Sequence, residues 1–170
     1  LVVYRRDRYC LFSSRLPEDY TPRIAKVPGV RSVLPMQILV SNCRASLDVV
    51  RFRGVPPDAF EQSLAGELRI VEGSWQEWRG RGDAALVGNR LARRRGLKVG
   101  DRFSIAGVTV SVAGISDADS VQDRDVAYTH LEFLQRSSRN MLGHVTQFSV
   151  KADDPSRLDA VAQAIDAQFA

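Results

Sequence analysis

The sequence is poor in the residue types that most often build catalytic and metal sites. Its 170 residues include only two histidines, His130 and His144, and two cysteines, Cys10 and Cys43. The histidines stand in different predicted elements, and no HExxH, GxSxG or glycine-rich phosphate-binding motif occurs. We therefore predict no catalytic, cofactor-binding or metal-binding residues. The spacing of the two cysteines leaves open whether they form a disulfide.

Long apolar runs are also missing. No segment reaches the about 18 consecutive apolar residues that a membrane-spanning helix needs, so nothing within this sequence is predicted to cross a membrane. The first residue is Leu1 rather than Met, and no signal-peptide pattern is present. We therefore expect the sequence to be part of a longer polypeptide, in which membrane segments stay possible.

Positive charge is uneven along the chain, and its pattern is not that of a nucleic-acid-binding protein. The formal net charge is +4, with +6 in residues 1–54, zero in residues 55–120 and −2 in residues 121–170. The triplet Arg93–Arg95 therefore lies in a neutral segment and contains no aromatic residue. Nucleic-acid-binding proteins usually carry a strongly basic face together with aromatic or amide side chains. We therefore predict no nucleic-acid partner.

The arginine triplet is instead typical of the solvated face of a short helix. Leu91 and Ala92 precede it on the predicted inward face, and Gly96 suits a left-handed helix end. Positive side chains in the last turn also favour the negative end of the helix dipole. We therefore expect the three arginines to face solvent. We also expect Leu97 and Val99 to be buried, since they precede and continue an alternating apolar pattern.

Apolar periodicity and turn residues predict an α+β fold. The clearest helix lies near the C-terminal end, where Leu158, Val161 and Ile165 recur on one face. The predicted strands lie within residues 1–12, 30–43, 46–55, 68–75, 101–115 and 145–154. The predicted helices lie within residues 21–27, 56–64, 130–139 and 155–169, and residues 83–96 are predicted as a strand that leads into a helix.

The order of these elements predicts two parts. Residues 1–54 and 121–170 combine strands with helices that carry one apolar stripe, and such helices need a shared sheet. Residues 55–120 contain short strands and small helices. We therefore predict one α+β subdomain formed by both chain ends, with helices on one face, and an inserted, mainly β subdomain at residues 55–120.

A cluster of carboxylates is one candidate site. Asp117, Asp119, Asp123 and Asp125 lie close together in the sequence, and clustered carboxylates can hold a hard cation. Their spacing does not match an EF-hand loop, so a solvated loop is the competing interpretation. A small metal-dependent enzyme that uses the Asp117–Asp125 cluster is the alternative function.

An aromatic and basic cluster is the second candidate site. Trp75, Trp78, Arg79 and Arg81 lie in a charged, glycine-rich stretch, for which we expect an exposed loop at residues 73–82. Tryptophan and arginine are favoured anchors of protein interfaces. These four residues are therefore predicted as partner-interface candidates. The alternative is that the two tryptophans pack under their own hairpin.

A series of segments in a fixed order resembles one particular family. The series resembles the MacB-like ABC transporter permeases, in which it forms the periplasmic core domain between the first and second transmembrane helices. The resemblance covers nearly the whole chain. Its segments are LPEDYTPRIAKVPGVRSVLP, FRGVPPDAF, IVEGSW, ALVGNRLARRRGLKVGDRFSIAG, VSVAGI, AYTHLEFLQ and TQFSVKADDP.

The resemblance implies both an architecture and a role. It implies a porter-like (ferredoxin-like) subdomain formed by both chain ends, with an inserted mainly β subdomain, on the periplasmic or extracellular face of the inner membrane. It also implies that the domain is not an enzyme and that it couples cytoplasmic ATP hydrolysis to motion that engages a substrate or periplasmic partner.

The resemblance further implies which molecules this domain works with. These are the flanking transmembrane helices of its own permease, a cytoplasmic ATPase subunit or domain, a periplasmic adaptor protein, and a second copy of the permease in a dimer. A lipoprotein-releasing permease is an alternative within the same family. The sequence does not select the transported substrate.

Overall fold

The computed structural model describes residues 1–5, 14–41, 49–64, 66–138 and 141–169. Its strands β1 to β11 are Val2–Val3, Leu16–Pro17, Val30–Val40, Arg51–Val55, Leu68–Gly73, Ala84–Gly88, Arg102–Ile105, Val108–Ala118, Val126–His130, His144–Val145 and Gln147–Ala152. Its helices α1 to α6 are Tyr20–Ala25, Pro57–Leu64, Trp75–Gly80, Asn89–Arg95, Leu131–Ser137 and Leu158–Phe169. The predicted mixture of helices and strands is confirmed. Cys10 and Cys43 lie outside the described residues, so their pairing stays open.

Nine of the described strands form one mixed sheet. Its order is β1-β11-β3-β4-β9-β6-β8-β5, and β7 pairs with the first part of β8. The β4–β9 and β6–β8 pairs are parallel, whereas the other pairs are antiparallel. Strands β2 and β10 form a separate pair. Strand β9, which the sequence patterns did not predict, lies in the middle of the large sheet.

Three hydrophobic cores pack against this sheet. Two of them, the central cores, lie on opposite faces of the central strands, because successive residues of a strand point to opposite faces. In β6, Ala85 and Val87 belong to the first central core, whereas Ala84 and Leu86 belong to the second. The third, the chain-end core, consists of Ile24, Val27, Leu131, Val145, Phe148, Val150, Val161 and Ile165.

Two predicted turns are confirmed by the backbone. Helix α4 ends at Gly96, whose φ of 63° is left-handed. The β7–β8 hairpin turns at Ala106 and Gly107, whose φ values are 53° and 81°. Positive φ at both central residues is typical of a two-residue turn whose twist matches the flanking strands.

The burial predicted after α4 is only partly right. Leu97 is partly buried against the first central core, but Val99 is 38% exposed, so the prediction for Val99 is wrong. Val99 lies in a turn, in which the Lys98 amide donates to the Asp101 carboxylate (2.8 Å) and the Gly100 amide donates to the Val112 carbonyl (2.9 Å). The alternation of β7 begins only after this turn, so it does not determine where Val99 points.

The division into residues 1–54 with 121–170 and residues 55–120 stays a prediction. Strand β9 falls in the chain-end part of that division, but it pairs with β6 of the inserted part. The large sheet therefore continues across the predicted boundary.

The chain-end core generates a stability prediction at Ile165, which is 2% exposed on the inner face of α6. Changing Ile165→Asp should lower the free energy of unfolding by about 3 kcal/mol or more, because it buries an unpaired charge. Gln163→Asp is the matched control, since Gln163 is exposed on the same helix. Urea unfolding of both variants tests this, and equal midpoints would contradict the packing described here.

Candidate functional site

The stretch expected to be an exposed loop at residues 73–82 is mostly helical. Helix α3 begins after Ser74, whose hydroxyl accepts a hydrogen bond from the Glu77 amide (3.1 Å) and donates to the Glu77 carboxylate (3.2 Å). The first of these bonds makes Ser74 the N-cap of the helix, and the Ser-x-x-Glu spacing is a signal of a helix start in the sequence. The expectation of an exposed loop is therefore wrong for α3.

Trp78 belongs to the second central core and not to the surface. Its side chain is fully buried, and its indole N–H donates to the Tyr128 carbonyl (3.1 Å). Its ring centroid lies 5.4 Å from that of Phe60 and 4.9 Å from that of His130. Trp75 is only partly buried and packs 5.8 Å from Trp78. Trp78 is therefore not a surface anchor in this structure, whereas Trp75 reaches the surface.

The two arginines of this candidate interface are exposed but held locally. Arg79 pairs with Asp58 and with Glu61 (2.6 Å), and so joins α3 to α2. Arg81 pairs with Asp83 at 2.5 Å. The hydrogen bond from Arg81 lowers the pKa of Asp83 below its ordinary value, so the pair stays ionised at neutral pH. An interface role for Trp75, Arg79 and Arg81 stays a prediction.

The carboxylate cluster does not converge on one point. Asp117, Asp123 and Asp125 each form an ion pair with an arginine from a different element. The pairs are Arg69–Asp117, Arg53–Asp123 and Arg94–Asp125, with N–O distances of 3.1, 2.5 and 2.5 Å. Within the described ranges, no group of three or more histidine, cysteine, aspartate or glutamate residues could hold a metal ion. This arrangement does not favour the metal-dependent alternative.

One of these ion pairs belongs to a partly buried polar cluster. Arg53 donates to Asp123 and to the Tyr128 hydroxyl (2.8 Å), and this hydroxyl donates to Asp123 (2.6 Å). Burial and the neighbouring Asp123 charge raise the pKa of Tyr128 above its ordinary value, so Tyr128 remains a hydrogen-bond donor at neutral pH. The short turn Asp123–Asp125, which leads into β9, packs directly on the end of β6. A Cβ at Gly88 would lie only 2.4 Å from the Arg124 carbonyl oxygen of this turn.

Sequence reasoning missed the Arg53 cluster, although one signal for it was present. Arg53 lies between Phe52 and Gly54, in a predicted strand whose other residues are mostly apolar. A half-buried arginine in a sheet needs a carboxylate or hydroxyl partner. The identity of that partner was not readable, because Asp123 lies 70 residues further along the chain.

The arginine triplet is less uniform than predicted. Arg93 is exposed, as predicted. Arg94 donates to the Asp125 carboxylate and to the Val49 carbonyl (3.1 Å), and Arg95 is partly buried. The prediction that the arginines face solvent is therefore confirmed for Arg93 and for Arg94, which is exposed although it is paired, but it is only partly right for Arg95. Arg94 ties α4 to the turn before β9.

The two histidines occupy separate places. His130 shares a hydrogen bond with the Trp78 carbonyl (2.7 Å), and burial lowers its pKa below the ordinary value. It is therefore neutral at pH 7 and donates to that carbonyl from Nε2. His144 lies near the surface, with Nδ1 3.5 Å from Arg15 and 3.0 Å from the Leu142 carbonyl. Each histidine thus has local structural partners.

A broad open groove of about 1130 Å³ lies beside the chain-end core. Its walls come from β1, β2, α1 and α6, and its apolar lining includes Tyr20 and Phe148. Leu1 and Phe169, the two ends of the described chain, both border this groove.

A family model matches nearly the whole chain. The family model of the MacB-like periplasmic core domain matches residues 2–168, so the chain belongs to this family. A search of the curated proteins found no match. Within the described residues, no helix combines the length and apolar character that crossing a membrane requires.

Two solved structures share this fold at low sequence identity. One is the extracellular domain of the noncanonic ABC-type transporter YknZ from Gram-positive bacteria, with 13% identity and a TM-score of 0.66, covering 99% of this chain and 93% of that chain. The other is the periplasmic region of MacB from Actinobacillus actinomycetemcomitans, with 11% identity and a TM-score of 0.67, covering 99% and 81%. The resemblance stated from the sequence is thereby confirmed at the level of family and fold.

The burial of the two tryptophans predicts unequal effects on stability. Trp78→Ser should lower the free energy of unfolding by about 3–5 kcal/mol, because it empties a core position and removes the partner of the Tyr128 carbonyl. Trp75→Ser should cost clearly less, since its side chain is partly exposed. Thermal unfolding of both variants measures this, and equal losses would show that the two side chains are equally important to the core.

The ion pair of Arg94 predicts a difference within the triplet. Arg94→Ala should cost about 1 kcal/mol of stability, since its bonds to Asp125 and Val49 are only partly shielded from water. Arg93→Ala should leave the unfolding midpoint unchanged, because Arg93 is exposed. Chemical unfolding of the two single variants gives the comparison. An equal or larger loss in Arg93→Ala would contradict the assignment of Arg94 as the structural arginine.

Proposed function

We propose that this domain moves outside the membrane when a cytoplasmic ATPase hydrolyses ATP, and that it engages a substrate or a periplasmic partner. The observation that carries the proposal is the family match over residues 2–168, which spans nearly the whole chain. The domain would act as part of a dimeric permease, whose transmembrane helices flank it. It would have no catalytic reaction of its own.

The continuous sheet supports a mechanical role. Strands β1 and β11 lie at one end of the sheet, next to the groove that both chain ends border, and β5 lies at the other end. A hydrogen-bonded sheet transmits displacement from one strand to the next, because its buried backbone groups must stay paired. Movement of the membrane helices would therefore reach the strands between residues 55 and 120.

The exposed side of α3, next to α2, supports contact with a partner. Trp75 reaches the surface beside Arg79, whose guanidinium is fixed by two acidic side chains of α2. Preorganised aromatic and arginine side chains lose little entropy when a partner binds. We propose Trp75, Arg79 and Arg81 as the contact surface, on the part assigned to the inserted subdomain, with a periplasmic adaptor or a substrate as the occupant.

The alternatives are weighed by the same contacts. A metal-dependent enzyme is disfavoured, because Asp117, Asp123 and Asp125 are each paired with a different arginine. A lipoprotein-releasing permease is consistent with the same fold, and it differs from an exporter in its substrate and not in the movement proposed here.

The proposed movement is tested by a distance between the two protomers of the full-length permease. A single spin label at Gln76, which is exposed on α3, is introduced after Cys10→Ser and Cys43→Ser. The permease is reconstituted with its ATPase in nanodiscs, and double electron–electron resonance is recorded without nucleotide and after trapping with ATP and vanadate. We expect the main distance to change on trapping.

The control is the same labelled permease with an ATPase variant that does not bind nucleotide, for which the two distributions should coincide. A second label position at Gln163 on α6 shows whether the chain-end part moves with the rest. Distance distributions that stay identical in all nucleotide states, while ATP is still hydrolysed, would contradict the proposed coupling.

A further inference from the structure

Strand β3 pairs with its two neighbouring strands along different parts of its length. Its residues Val30–Met36 pair with β11, whereas Gln37–Val40 pair with β4 on the opposite edge. The change of partner falls between Met36 and Gln37. Among the strands of the described residues, β3 alone connects β1 and β11 to the rest of the large sheet at this point.

Two prolines prevent the β3–β4 ladder from extending along β3 beyond Gln37, into the part of β3 that pairs with β11. The Met36 carbonyl and the Ile38 amide both face Thr146 on the β11 side, so Pro35 directs its ring nitrogen to the β4 side. Proline has no N–H to donate there. The register that pairs Gln37 with Gly54 places Pro56 opposite Pro35. Neither proline can donate to the other strand, so the ladder stops at this position.

The side chain of Thr146 ends the β3–β11 ladder on the opposite edge of β3. Thr146 is 1% exposed, and its hydroxyl donates to the Met36 carbonyl (2.9 Å) and accepts from the Ile38 amide (2.9 Å). The Thr146 backbone amide also donates to the Met36 carbonyl (3.0 Å). One threonine hydroxyl thus satisfies Ile38, where a longer β11 ladder would use backbone groups.

The second central core extends onto the β11-paired half of β3, and helix α5 contacts both the chain-end core and the first central core. Leu131 belongs to the chain-end core and Leu134 to the first central core. At the end of α5, Gln135 is 3% exposed and donates to the Glu18 carboxylate (2.8 Å) and the His144 carbonyl (2.8 Å). Gln135 therefore links the segments that contain β2 and β10 to a helix that packs on the central strands.

We propose that the domain bends at Met36–Ile38, and that Thr146 and Gln135 hold the two parts in the orientation seen here. A rotation at this point leaves both ladders paired, because they end where they meet. It would move Lys151 of β11 relative to the Ser63 carbonyl and Glu67, to which Lys151 donates. The inference deepens the proposed function, since the bend gives the movement a position within the domain. Thr146 and Gln135 act as positioning residues in this proposal.

The bend is tested in the 170-residue chain by a distance between the two parts. Spin labels at Gln163 on α6 and Gln76 on α3 report their relative orientation, in the background Cys10→Ser and Cys43→Ser. Thr146→Val keeps the shape of the side chain but removes the hydroxyl. We expect a broader distance distribution, and exchange of the Ile38 amide hydrogen that is about tenfold faster.

Three variants make the test specific. Thr146→Ser retains the hydroxyl and should restore the original distribution. Thr109→Val is the matched control, because the Thr109 hydroxyl bonds to Ser104 within the β7–β8 hairpin. Gln135→Ala removes the second contact and should also broaden the distribution. If Thr146→Val does not fold, the distance distribution of Gln135→Ala decides whether the domain bends.

An unchanged distance between Gln76 and Gln163 would overturn the proposal. If Gln135→Ala and every folded Thr146 variant keep the original distance distribution, the two parts form one rigid body and the bend does not exist. This outcome is separable from the proposed coupling, which is measured in the full permease with nucleotide. A domain that bends in isolation but does not respond to ATP would leave the bend standing and refute the coupling.

Discussion

The backbone pairing of β3 is the constraint on which the rest of this structure depends. Buried amide and carbonyl groups must find partners, and the 11 residues of β3 supply them to β11 on one edge and to β4 on the other. Helix α5 packs on β4 so closely that a Cβ at Gly54 would lie 2.8 Å from the Leu134 Cβ. Strand β3 and helix α5 therefore both join the chain-end core to the central cores.

The charged residues of this chain act mainly on each other. Arginines from β4, β5 and α4 neutralise the carboxylates that could otherwise have formed a cation site, and they fix the end of β8 and the turn that leads into β9. Ion pairs of this kind hold segments in place more than they stabilise the fold, because they are partly exposed to water.

Local patterns predicted most elements but missed two that matter for the candidate site. Strand β9, Val126–His130, is almost entirely buried, so it lacks the polar alternation that identifies a half-exposed strand. The glycines around helix α3 favour a loop, although Ser74 caps the helix and the Ser-x-x-Glu spacing is a signal of its start. With both elements missed, Trp78 was placed on the surface, whereas β9 and α2 enclose it.

The sequence by itself determined the fold class, the turns at Gly96 and Ala106–Gly107, the apolar stripe of α6 and the resemblance to the permease family. These depend on periodicity, on φ preferences and on the order of segments, all of which are local or linear properties. The tertiary structure alone decided that Trp78 is buried, that Arg94 meets Asp125, and that Thr146 completes the edge of β3. Each of these depends on residues that are distant in the chain, and no local pattern encodes which distant partner a side chain meets.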